Sequence, residues 1–69
     1  MQNTLPSFRE TRFGYESTSR DNEHTYVITH NGIDYDVRHY WVYNPVGELI
    51  ARTASPSSVA RKHYADLQR

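Results

Sequence analysis

The sequence predicts an α+β fold: a three-stranded antiparallel β-meander packed on one C-terminal α-helix, in the order β-β-β-α. Three observations carry this expectation. Apolar and polar residues alternate from His24 to Trp41, the period of strands with one buried face. Two turn signals, Asn31-Gly32 and Asn44-Pro45-Val46-Gly47, cut that region into three runs. Beyond Ser55-Pro56, Val59, Ala60, His63, Tyr64 and Leu67 recur at three- and four-residue spacing, the apolar stripe of a helix.

Taken in order, residues 1–23 read as a partly flexible N-terminal arm or edge strand, and residues 24–69 as the β-β-β-α domain. Thr11, Phe13 and Tyr15 alternate and would make a short extra strand. Residues 16–23 have no apolar side chain and read as an exposed loop. The first meander strand is His24 to His30. Asn31 and Gly32 both tolerate positive φ, as a two-residue type I′ turn requires. That turn would set His30 opposite Ile33, Ile28 opposite Tyr35, Tyr26 opposite Val37 and His24 opposite His39. One face then carries Tyr26, Ile28, Ile33, Tyr35, Val37 and Trp41, and a one-residue slip would destroy the split.

The central strand extends over residues 33–43. Pro45 presets φ for a type I turn, and Gly47 would supply the positive φ of a G1 bulge. This pairing sets Trp41 opposite Ala51 and Tyr43 opposite Leu49, so Leu49 and Ala51 join the face of Trp41. Tyr40, Val42 and Ile50 fall on the other face, between Arg38 and Arg52. Ser55 stands at a helix N-cap with Pro56 at the first helical position. The helix is expected to cover the Trp41 face, with Trp41 buried against Tyr64 or Leu67.

Sixty-nine residues make one small domain. There is no Cys, which excludes a disulfide staple and a thiolate metal site. No apolar run approaches the roughly 20 residues that span a bilayer, and the N-terminus lacks the pattern of a signal peptide. A cytoplasmic, soluble chain with no membrane role is expected. Formal net charge is zero, where a nucleic-acid binder usually carries a basic excess. The halves differ: residues 1–36 hold three basic and six acidic residues, and residues 37–69 hold five basic and two acidic ones.

Candidate chemistry is sparse. His24 and His39 are expected as cross-strand neighbours, with His63 on the inward side of the helix. Three imidazoles could converge on Zn²⁺, but no two of them have the spacing of a ligand pair on one element, so no metal or cofactor is expected. Asp34 and Asp36 share one side of a strand and could serve acid–base chemistry or hold a hard cation. Alternating polar residues on a solvated face are far commoner. No phosphate loop, nucleophile elbow or catalytic triad spacing is present, and no catalytic residue is assigned.

The outer face is more informative. Arg38, Tyr40, Val42, Ile50 and Arg52 would form one patch, and aromatic residues and Arg are enriched at binding hot spots. The alternative is that Phe8, Phe13 or Tyr15 folds back and covers it. The leading expectation is a small non-enzymatic protein-binding module, a regulator or inhibitor of the kind encoded by phages and mobile elements, alone or as a homodimer. The rival is DNA binding through the sheet, by Arg38, Tyr40 and Arg52, with phosphate contacts from Arg61, Lys62 and Arg69 on the helix. Over residues 24–68 the element order alone resembles the plant AP2-type domain and the arm-binding domains of some phage integrases, and that resemblance implies DNA reading by the sheet.

Overall fold

The computed structural model describes residues 4–69. Five strands and one helix follow in order: β1 Arg9–Glu10, β2 Gly14–Thr18, β3 His24–His30, β4 Tyr35–Trp41, β5 Asn44–Thr53 and α1 Pro56–Leu67. The strands form one antiparallel sheet in sequence order, β1-β2-β3-β4-β5. The meander with a C-terminal helix is therefore present, but with two further strands from the segment expected as an arm or a single edge strand. Residues 1–3 of that arm lie outside the described residues.

Buried hydroxyls and backbone bonds order the N-terminal part. Ser17 donates from Oγ to the Pro6 carbonyl at 2.8 Å, and Leu5 is buried in the core. Arg61 of α1 donates to the Leu5 carbonyl at 2.9 Å, and its guanidinium lies over the Phe8 ring. Residues 19–23 are a compact polar turn. Ser19 is buried; its Oγ donates to Asp21 Oδ1 at 2.5 Å and accepts the His24 amide at 3.0 Å. Asp21 Oδ1 also accepts the Glu23 amide, and Asn22 takes positive φ. The expected exposed loop over residues 16–23 is thus half strand and half a self-bonded turn.

β3 has the expected bounds, but the β3–β4 register differs by two residues. His30 pairs with Tyr35, Ile28 with Val37, Tyr26 with His39 and His24 with Trp41. Asn31 does not adopt positive φ; Gly32 alone does, at 95°. Asn31 Oδ1 instead accepts the amides of Ile33 and Asp34, at 3.0 and 2.8 Å. This side-chain mimicry of a turn holds residues 31–34 as a four-residue loop and leaves Ile33 93% exposed rather than on the apolar face. A two-residue slip keeps every side chain on its face, so Tyr26, Ile28 and Val37 are buried together as the alternation requires.

The second turn also moves. It falls on residues 42–43, and Trp41 pairs with Asn44. Gly47 lacks positive φ. Its role is close approach: a Cβ there would lie 2.4 Å from the Tyr40 ring. β5 carries two irregularities, one leaving Ile50 between the Val37–Ala51 and Arg38–Leu49 pairs. That bulge turns Ile50 onto the core and puts Leu49 opposite Arg38, away from the face assigned to it. Trp41 is 40% exposed rather than buried under the helix.

α1 begins at Pro56 as expected, although Ser55 makes no side-chain cap bond. Ala60 and Tyr64 face the sheet and close the core with Leu5, Tyr26, Ile28 and Val37. Leu67 is half exposed. The helix covers one face of the sheet and leaves the other open.

Candidate functional site

The five residues of the expected patch are separated by the bulge and the earlier turn. Arg38 and Tyr40 stay on the open face, where their β3 partners are Val27 and Thr25. Arg52 is beside them, opposite Asp36. Val42 sits in the turn, largely exposed. Ile50 belongs to the core side. Asp36 is a hub: Arg52 approaches it at 3.4 Å, Arg38 at 3.9 Å, and the Asn31 side-chain Nδ2 donates to it at 2.7 Å. Such partly exposed pairs contribute little stability, and the one carboxylate offsets only part of the charge of the two arginines.

The helix cations are occupied as well. Arg61 is directed to Leu5 and Phe8, while Lys62 and Arg69 both pair with Asp66, at 3.5 and 3.4 Å. Asp34 and Asp36 share a hydrogen-bonded loop with Asn31, an arrangement that shapes the turn.

An apolar surface emerges where the sequence pattern did not place one. Trp41, Val42, Tyr43 and Val46 cluster at the β4–β5 end, with Leu49 further along β5. Tyr43 is 70% and Val46 77% exposed. The Trp41 and Tyr43 rings meet edge to face at 5.0 Å. The turn is fixed from behind by the Val42 amide, which donates to the Glu23 carbonyl at 2.9 Å. Alternation had assigned Trp41 to the core and Tyr43 to a strand. The usable signal was the run Trp41-Val42-Tyr43 immediately before Asn44-Pro45, apolar residues where a turn must lie.

His24, His39 and His63 do converge. His24 Nδ1 and His39 Nε2 are 2.9 Å apart and share one hydrogen bond. The His39 and His63 ring centres are 5.0 Å apart. His63 Nδ1 is hydrogen-bonded to the Tyr26 hydroxyl at 2.7 Å. Trp41 stacks on His24, and Tyr26 stacks on His39. One nitrogen of each ring is hydrogen-bonded within this cluster, and among the described residues no group of three His, Cys, Asp or Glu side chains has the geometry to hold a metal ion. Burial lowers the His39 pKa below the ordinary imidazole value, helped by neighbouring His63 and His24 and opposed by Glu48. Burial also raises the Tyr26 phenol, with Tyr64 adding to the effect. The Asp21 carboxyl is held below its usual range by hydrogen bonds from Ser19 and the Glu23 amide, with His24 assisting.

Among the described residues, no helix is long and apolar enough to cross a membrane. No protein-family model matches the chain, and no curated protein or solved structure matches it.

Proposed function

We propose that this chain is a small non-enzymatic protein-binding module, a regulator or inhibitor, that engages its partner through the β4–β5 end. The observation that carries this reading is the cluster of Trp41, Val42, Tyr43 and Val46, held out from the core on a turn anchored by one backbone bond. Burying an apolar side chain of this size is worth roughly 1.5–3 kcal/mol. Leaving Val42, Tyr43 and Val46 mostly in water, with Trp41 partly exposed beside them, forgoes much of that gain in a domain too small to forgo it freely. Tyr40 and the Arg38–Asp36–Arg52 network form the polar border on the adjoining open face.

Phosphate contact by the sheet or helix would compete with Asp36 for Arg38 and Arg52 and with Asp66 for Lys62 and Arg69, which weakens the DNA reading. The test is a Val42→Ser, Tyr43→Ser, Val46→Ser triple variant. Circular dichroism should show an unchanged fold, and sedimentation or binding to an isolated partner should show lost association. Binding unchanged in the triple variant sinks the reading. A steep fall in affinity with added salt would instead favour nucleic acid.

A further inference from the structure

We infer that His24, His39 and His63 form an acid-operated clasp between the sheet and the helix: neutral, they hold α1 against β3 and β4, and on taking up protons they release it. The three residues come from three elements, and the contacts between them bridge exactly the seam that closes the core. His24 and His39 join β3 to β4, and His63 joins α1 to both through Tyr26 and the His39 ring.

The chemistry of the His24–His39 contact sets its sensitivity. Between neutral rings, one nitrogen donates and the other accepts. When both rings are charged, both nitrogens carry hydrogens, and at 2.9 Å neither can accept. A charge on His63 then stands 5.0 Å, ring centre to ring centre, from a charge on His39, where like charges disfavour ionisation.

Other charged groups surround the row. Glu48 lies opposite His39 on β5, and Asp21 interacts with His24 from the β2–β3 turn. Arg20 lines a cavity with Asp21 and Tyr64. On α1, Lys62 is engaged with Asp66. Together the Glu48 and Asp21 carboxylates can offset two positive charges on the row and leave a third uncompensated, so release needs more than one proton.

The helix is poorly secured against this repulsion. Ala60 and Tyr64 are its buried residues, and the Arg61 bond to Leu5 is a further polar tie to the described N-terminal segment. The direction agrees with His39, whose folded pKa lies below the ordinary 6.5. Unfolded chain then binds more protons at this site than folded chain, so the His39 contribution is present above about pH 6.5 and is lost as pH falls through the folded pKa.

Amide exchange of the intact chain tests the clasp, compared at about pH 7.5 and about pH 5.5, on either side of the imidazole range and corrected for intrinsic rates. α1 amides should lose at least roughly tenfold protection at the lower pH. A His39→Gln, His63→Gln double variant should abolish that pH dependence. His30→Gln should keep it, because the His30 ring is exposed at the other end of β3 and meets the Gly32 amide and the Tyr35 ring rather than α1. Unchanged α1 protection in the parent, or the same loss in the double variant, overturns the proposal. Should the double variant fail to fold, the same exchange comparison on His63→Gln decides: loss of the pH dependence of α1 protection supports the clasp, and its persistence overturns it.

Discussion

Two turns lie side by side at one end of the sheet and are built in opposite ways. The β2–β3 turn is satisfied from within: Ser19 and Asp21 bond each other and the amides of Glu23 and His24. The β4–β5 turn is tied to its neighbour through the Val42 amide and the Glu23 carbonyl and holds apolar side chains out in water. Polar residues therefore build the first turn, and the second turn depends on it for position. Tyr43 and Val46 add little to the fold, which leaves their chemistry available to a partner.

Changes in the polar turn should cost the most stability. Ser19→Ala removes a buried hydroxyl that serves two partners, so it should cost about 2 kcal/mol. Thermal melting should then fall by roughly 8–16 °C in a domain of this size. A melting point within a couple of degrees of the parent would mean that the network is not what orders the turn. Trp41→Ala comes next. It is only partly buried, so its loss should cost about 1.5 kcal/mol, well under the roughly 3–5 kcal/mol of a core aromatic.

Asp21→Asn sharpens the comparison through pH. The folded Asp21 carboxyl lies below the ordinary 3.8, so its contribution is present above that value and is lost as pH falls through the folded pKa. The variant should flatten the acid limb of a stability–pH curve at the lowest pH, apart from any change in the imidazole range. The smallest effect on stability belongs to Tyr43→Ser, within about 0.5 kcal/mol of the parent by chemical denaturation. A larger loss would show that the apolar turn supports the fold after all.

The buried trio Tyr26, Ile28 and Val37 was legible because alternation survives an even slip in register. The turn geometry was not legible. Asn31 has two uses in a hairpin, positive φ or a side-chain acceptor, and the sequence does not say which one wins. Gly47 was needed for the Tyr40 ring rather than for its own φ. β2 was underestimated because the inward residue Ser17 and, beyond the strand end, Ser19 are hydroxyls that bury only with partners distant in sequence or in the turn itself. Of the expected patch, Val42 alone belongs to the apolar end, since the bulge at Ile50 moved one member inward and Asp36 claimed the two arginines.

The Arg61 bond to Leu5 spans 56 positions of the chain, whereas each strand pairs with its sequence neighbour. The kinetics of folding should divide accordingly. Hairpins close over short loops within microseconds, but the core waits for its two most distant segments to meet, and such long-range closure is slow. During synthesis the apolar face of the sheet would stay open until α1 has left the ribosome. The step that docks Leu5 and Arg61 is then the one on which a nascent chain is most exposed to aggregation, and a chaperone that shields Tyr26 and Val37 would act in that interval.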